Sequence, residues 1–221
     1  MIKAISFDLD GCLSDDTFDE QIWSREIPRI YAEEKKLSFE AAYKQVTEEY
    51  SRLFRQKEPR WRDIAFWFEH FKLKTDWRHV VDALKHKIFL YGDVVPVLKQ
   101  LKGRYKLVVL STANHNFLDL KLETLKLKGY FDHVFSTEDF GEMKKSKEVF
   151  QNVLKKLSLN KEELVHIGDS ISADYETPKT IGIKAFHLDR SGKEHSEHAC
   201  RTLYEFVDKL DELEKAKFKN P

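Results

Sequence analysis

The chain has 221 residues with 38 Lys+Arg against 38 Asp+Glu, enough for one well-buried core plus a sizeable insertion and without the net charge that a nucleic acid or anionic membrane would call for. Its two cysteines, Cys12 and Cys200, stand at opposite ends with no paired spacing, which excludes a disulfide framework or thiolate metal site and favours a reducing compartment. No window approaches the length that spans a bilayer and MIKAISFDLD acquires acids too early for a secretory signal, so a soluble cytoplasmic protein with no membrane or nucleic-acid partner is expected.

Residues 2–7 (IKAISF) are apolar and β-prone and run straight into Asp8-Leu9-Asp10-Gly11, the pattern of a buried strand with acids at its carboxyl end. From about Phe18 to Tyr91 the periodicity is helical. Ser38 reads as the N-cap of a helix with Phe39, Ala42, Tyr43, Val46, Tyr50, Leu53 and Phe54 on its apolar face. Pro59 marks a break. A further helix then buries Trp61, Ile64, Ala65, Phe68 and Phe71, and another, after Thr75 and Asp76, buries Trp77, Val80, Val81, Leu84 and Ile88. All four tryptophans fall here, as in a helical unit with its own aromatic core.

Beyond Gly92 strands and helices alternate: helix 94–101, strand 107–110, helix 117–127, strand 133–135, helix 146–157, strands 164–167 and 183–187, and a closing charged helix over 201–217. Alternation of this kind predicts an α/β, doubly wound, Rossmann-like parallel sheet. The predicted core is 1–14 with 92–221, and 15–91 is an inserted α-helical cap.

In such a sheet ligands bind at the carboxyl ends of the strands. The residues at those ends are Asp8 and Asp10, then Ser111 and Thr112, then Gly168, Asp169 and Ser170. Three carboxylates facing one crevice repel one another unless a cation lies among them, and hard oxygen ligands suit magnesium. Asp8 and Asp10 project the same way if Leu9 enters the core, so one can attack phosphorus while the other protonates the leaving oxygen. Ser111 ends the apolar run LVVLS and offers a hydroxyl to a phosphoryl oxygen. Lys144, in GEMKKSKEVF, offers a cation to the transferred group. In HIGDSISAD, Asp169 is placed to bind metal and Asp174 to support the metal shell. No GxxxxGK[ST] or GxGxxG run is present, so no glycine-rich phosphate cradle is expected.

Together these segments resemble the haloacid dehalogenase superfamily of phosphohydrolases. Its four motifs correspond to FDLDGCL (residues 7–13), the strand ending in Ser111, Lys144, and GDSISAD (residues 168–174), in the family's order, with a helical segment where the family carries a C1-type cap. The resemblance implies that Asp8 is the nucleophile of an aspartyl phosphate and Asp10 the general acid and then base. Ser111 and Lys144 would hold phosphoryl oxygens. Mg2+ would be bound by Asp8, the Asp10 backbone carbonyl and Asp169, with Asp174 assisting. Cys12 stands where relatives usually have Thr or Val and reads as packing. Lys145 replaces a common proline, so either lysine is a candidate to reach the site.

The expected activity is hydrolysis of a small phosphorylated metabolite. Asp10 speaks against dehalogenation, whose halide needs no proton. A sugar phosphomutase shares the motifs, and a receiver-like phospho-acceptor module shares the sheet but has no use for Asp10 or a cap. Arg60 and Arg62 flank Trp61 after Pro59 and are candidates to recognise an anionic group of the substrate. Of the nine histidines, His195 and His198 read as surface residues, and His166 and His187 as buried behind the site. Oligomeric state has no signal in the sequence.

Overall fold

Residues Ala4–Phe7 form β1, every one of them buried. β1 lies between β2 (Lys106–Ser111) and β4 (Leu164–Gly168), and β3 (His133–Ser136), β5 (Lys184–Leu188) and the two-residue β6 (Ala199–Cys200) complete a six-stranded sheet of order β3-β2-β1-β4-β5-β6. All pairings are parallel. The computed structural model describes residues 1–219.

Strand order reverses at β1, which pairs with β2 on one side and β4 on the other; the carboxyl edge of such a switch point is open. The register sets Phe7 opposite both Val109 and Ile167. Asp8, whose N–H donates to the Ile167 carbonyl at 2.9 Å, is therefore delivered one residue beyond the sheet, beside the Gly168-Asp169 turn.

Helices α6 (Val94–Leu101), α7 (His115–Thr124), α8 (Lys147–Leu157) and α10 (Leu203–Lys219) follow in the alternation expected, and the four-residue α9 (Thr177–Thr180), between β4 and β5, is one the sequence pattern did not predict. The last strand, β6, is too short to leave a periodic signal. Several starts are capped as their side chains allow: Asn114 accepts from the Phe117 N–H at 3.1 Å and Ser146 from that of Val149 at 3.3 Å.

Between β1 and α6 the chain is helical. It leaves and returns as paired segments, with Asp15 N–H donating to the Phe89 carbonyl and Tyr91 N–H to that of Leu13. Short helix α1 (Thr17–Glu20) continues through a wider turn at Gln21–Glu26 into α2 (Ile27–Lys35). Then come α3 (Phe39–Arg55), α4 (Ile64–His70) and α5 (Trp77–Leu84). Ser38, Asp63 and Asp76 cap these three with their side chains. Trp61 precedes α4 in a turn rather than standing on it. Its indole donates to the Tyr50 carbonyl at 2.8 Å, and that of Trp67 donates to the Trp61 carbonyl at 2.7 Å.

The aromatic core of these helices is not separate from that of the sheet. Phe18 and Trp23 meet Phe117 of α7 at 5.3 and 5.8 Å between ring centroids, and the buried cluster runs without a break from Trp67 to β1. Burial of aromatic rings is the largest apolar contribution per residue, so this contact fixes the inserted helices over the carboxyl edge of the sheet. Among the described residues no helix is long and apolar enough to cross a membrane.

Candidate active site

The loop after β1 turns back at Gly11 (φ +71°), where a Cβ would stand 2.3 Å from Asp169 Oδ2. Gly168 is constrained likewise, since a Cβ there would lie 2.4 Å from Asp174 Cγ. Both positions need glycine for close approach. The result brings Asp8, Asp169 and Asp174 together, with carboxylate oxygens within 4.8 Å of one another.

Burial pushes the Asp8 carboxyl well up from its ordinary value, and Asp174 and Asp169 add to that, while Lys145 opposes it. Asp169 is pushed up to about 6, by loss of solvation first and then by Asp174. Asp174 behaves oppositely: burial acts upward, but the Lys145 ammonium and His166 outweigh it and hold the acid well below the carboxylate range. Its oxygens are already engaged. Oδ1 accepts from Lys145 Nζ at 2.5 Å and pairs with His166 Nε2 at 2.9 Å, and Oδ2 accepts from the Ser170 N–H at 3.0 Å. With Nε2 donating to this carboxylate, His166 Nδ1 is left to accept from Ser6 Oγ at 2.6 Å. His187 Nε2 donates to the Asp169 carbonyl at 2.8 Å. The two strand histidines thus stand directly behind the acids.

This donor set fits a small, hard dication. The Lys145 ammonium relieves only part of the repulsion among the gathered acids, since Asp8 and Asp169 both stay raised, and oxygen-only sites of this kind select magnesium or its analogues. Asp174, saturated by protein donors, suits support of such an ion better than contact with it.

The two motif lysines separate cleanly. Lys145 is 3% exposed and sets its Nζ 2.7 Å from Asp8 Oδ1 and 2.5 Å from Asp174. Although burial works against its charge, the two carboxylates raise its pKa well above that of a free lysine. Lys144, the residue expected to face the phosphoryl group, borders the crevice but is exposed and rests its ammonium 5.0 Å from the centroid of the Phe54 ring. The loop bends at Lys144, whose carbonyl accepts from the Ser146 N–H at 2.9 Å, and of the two lysines Lys145 enters the acid cluster.

Asp10 has a partner the sequence reading missed. Lys121, on α7 and fully buried, reaches Asp10 Oδ1 at 2.6 Å and also pairs with Asp19 of α1. Burial lowers the affinity of Lys121 for its proton, but Asp10 and Asp19 more than restore it. Asp19 is raised to about 6 by burial, with Lys121 pulling the other way and Asp10 adding to the rise. A signal existed: Lys121 falls in register with Phe117, Leu118 and Leu122 on the buried face of α7, where an unpaired lysine would be costly.

These residues border a crevice of about 530 Å³ between the sheet edge and the inserted helices. Its helical side carries Trp23, Tyr50, Trp61, Arg62 and Trp67, and its sheet side Thr112, Ala113 and Asn114 from the loop after β2. Ser111 lies just beneath, buried, its Oγ accepting from the Ala113 N–H at 3.0 Å. The expectation that Ser111 faces the crevice is thereby modified, because the loop bends over it and presents Thr112. Arg62 enters the crevice. Its Nε is buried with no hydrogen-bond partner among the described residues, and burial lowers its pKa despite Asp8, Asp10 and Asp19 nearby. Arg60 does not border this crevice: it is exposed, bonds Glu58 and lies 4.5 Å from the Phe66 ring centroid. Cys12 is fully buried, and burial together with Asp8 pushes its thiol well up, which leaves it as packing.

A model of the haloacid dehalogenase-like hydrolase family matches residues 2–182. The chain is similar to the GMP/IMP nucleotidase YrfG of Escherichia coli, at 25% identity over 171 residues that span 76% of this chain and 75% of that protein. It is similar to the glyceraldehyde 3-phosphate phosphatase of Pyrococcus furiosus, at 24% identity over 234 residues, 95% of this chain and 93% of that one. Among solved structures, the HAD phosphatase of Thermococcus onnurineus superposes with a TM-score of 0.80 at 27% identity, covering 95% of this chain and 98% of its own. Match over most of the length, the parallel sheet and the acids gathered at its switch point agree: the chain belongs to the haloacid dehalogenase-like hydrolases.

Proposed function

We propose that the protein is a magnesium-dependent phosphatase of small phosphorylated metabolites, working through an aspartyl phosphate on Asp8. The observation that carries this reading is the meeting of Asp8, Asp169 and Asp174 around one point, with the Lys145 ammonium against Asp8. The phosphatase and nucleotidase names of the similar proteins support the substrate class.

In the first half-reaction an Asp8 carboxylate oxygen bonds to phosphorus as the phosphorus–oxygen bond to the leaving group breaks. The departing electron pair takes a proton from Asp10, which yields a free alcohol and an ionised Asp10. In the second, water gives a proton to Asp10 and its oxygen bonds to phosphorus, while the bond from phosphorus to Asp8 breaks. Inorganic phosphate leaves and Asp8 is regenerated. Lys145 stabilises charge on the transferred oxygens, with Thr112 bordering the same space. Magnesium, held by Asp8, Asp169 and the Asp10 carbonyl with Asp174 in support, would supply Lewis acidity and neutralise the gathered charge.

Substrate selection falls to the helical side of the crevice. The indole N–H groups of Trp61 and Trp67 are already satisfied by backbone, so these two rings offer aromatic faces, and the Arg62 Nε, unpartnered among the described residues, offers a charged donor. A leaving group with an apolar or planar body and one anionic or carbonyl oxygen matches that surface. The reading is tested by screening phosphate monoesters for phosphate release with and without magnesium, using Asp8→Asn as control. Metal-dependent release that is absent from the variant is expected; release unaffected by Asp8→Asn would refute it.

A further inference from the structure

We propose that Lys121 is a positioning residue that selects which oxygen of Asp10 faces the leaving group, and ties that choice to the first inserted helix. The inference rests on the reading of Asp10 as the proton donor and adds to it an atom and a cause.

Asp10 Oδ1 receives two donors, Lys121 Nζ at 2.6 Å and Ser14 Oγ at 3.0 Å. No hydrogen bond reaches Oδ2 among the described residues, and Asp10 borders the crevice. A carboxylic acid carries its proton on one oxygen only; a proton on Oδ1 would be directed against the Lys121 ammonium, which has no lone pair to accept it, and would require the Ser14 hydroxyl to turn from donor to acceptor. The proton to be transferred therefore resides on Oδ2. When the phosphorus–oxygen bond to the leaving group breaks, the departing pair takes the hydrogen from Oδ2, and Asp10 is left ionised with Oδ1 still held by Lys121. In the return step, water delivers its hydrogen to the same oxygen as it attacks phosphorus.

Lys121 can hold this geometry because it is itself fixed. The ammonium is completely buried, pairs with Asp19 on its other side and lies 5.6 Å from the Phe18 ring centroid. Asp19 and Phe18 belong to α1. One buried cation thus joins the acid on the loop after β1, helix α7 of the sheet layer and the first of the inserted helices. A lysine that served only to balance charge would need no particular oxygen of Asp10. Here Ser14 bonds the same oxygen as Lys121, so the two together fix the plane of the carboxyl group and leave the oxygen turned away from them to carry the proton.

The discriminating measurement compares kcat/KM on 4-nitrophenyl phosphate and phenyl phosphate, which share a ring but differ in how much the leaving oxygen needs a proton. In magnesium-containing buffer, Lys121→Met in the full chain is expected to lose about tenfold more activity on phenyl phosphate than on 4-nitrophenyl phosphate, part of the 10²–10⁴ a well-placed general acid contributes. Asp10→Asn should show the same bias, more strongly. Equal losses on the two esters in Lys121→Met, with the bias present in Asp10→Asn, would overturn the inference alone. Equal losses in Asp10→Asn would instead refute the role of Asp10. The ratio is taken within one preparation, so a reduced folded fraction cancels. Should Lys121→Met not fold, Lys121→Arg keeps a charge for Asp19 but not the ammonium geometry at Asp10. It should shift the ratio in the same direction, and an unshifted ratio overturns the proposal.

Discussion

The Lys145 ammonium lies 2.7 Å from Asp8 Oδ1, whereas that of its neighbour Lys144 rests by the Phe54 ring. Because Lys145 also bonds Asp174, a single buried charge joins the acid proposed as nucleophile to the acid proposed to brace the cluster. Loss of one partner of such a buried pair strands the other charge in a place with little solvent.

Lys145→Met is accordingly expected to lower kcat/KM by about 10²-fold or more, the range seen when one donor to a developing charge is removed. It should also destabilise the fold by about 3–5 kcal/mol. Lys144→Met should change kcat/KM by less than about threefold and leave stability within about 0.5 kcal/mol, as for other exposed positions. Steady-state kinetics with urea unfolding on both variants decides it. The reverse ranking would return the role to Lys144.

The contrast between these two neighbours also marks where the sequence stops being informative. Periodicity located the longer strands and most of the longer helices, because burial on one face imposes spacing on residues such as Leu107 to Leu110 and Val149 to Leu157, but it did not resolve α1, α2, α9 or β6. It placed Asp8, Asp10 and Asp169 just beyond the carboxyl ends of buried strands, which is where β1 and β4 set them. It did not tell Lys144 from Lys145, since the loop that carries them has no repeat from which a direction can be read. Nor did it show the bend at Thr112 and Ala113, a property of the loop that leaves Ser111 buried and Thr112 bordering the crevice. Lys121 was passed over although the apolar register of α7 contained it. Its partners, Asp10 and Asp19, are about a hundred residues away in sequence, and only the tertiary fold brings them together.

Proton linkage gives a second expectation, for the metal-free protein. Asp169 has a folded-state pKa of about 6, against about 3.9 in an unfolded chain. The native state then binds the proton more tightly than the unfolded state, and stability falls as pH rises from about 4 to about 6. Asp8 is displaced in the same direction. Asp174, held low, contributes stability above its unfolded pKa that is lost only as pH falls further. In EDTA, Tm should therefore decline across the window from about pH 4 to 6, and Asp169→Asn should flatten that decline. Magnesium at pH 7 should raise Tm of the natural protein, because it binds the native cluster and not the unfolded chain, and should do so much less in Asp169→Asn. A Tm indifferent to magnesium and to Asp169→Asn would contradict the assignment of the cluster as a cation site.

Arg62 and Arg60 provide an internal comparison for substrate recognition. The guanidinium of Arg62 enters the crevice with its Nε unpartnered, whereas that of Arg60 is engaged outside with Glu58. For a substrate found in the monoester screen, Arg62→Ala is expected to raise KM by about tenfold or more with a smaller effect on kcat, as for loss of a charged hydrogen bond of about 1.5–3 kcal/mol. Arg60→Ala should leave both constants near those of the natural protein. An unchanged KM in Arg62→Ala would remove Arg62 from substrate recognition.

Covalent chemistry at Asp8 is the central step of the proposed function. The direct measurement is acid quenching of the enzyme during turnover of a phosphate ester labelled in its phosphoryl group, followed by digestion and mass analysis of the peptide that contains residues 4–13. The label is expected on Asp8, absent after Asp8→Asn, and lost on a chase with unlabelled substrate at a rate no slower than turnover. Release of labelled phosphate with no label ever present on Asp8 would contradict the mechanism.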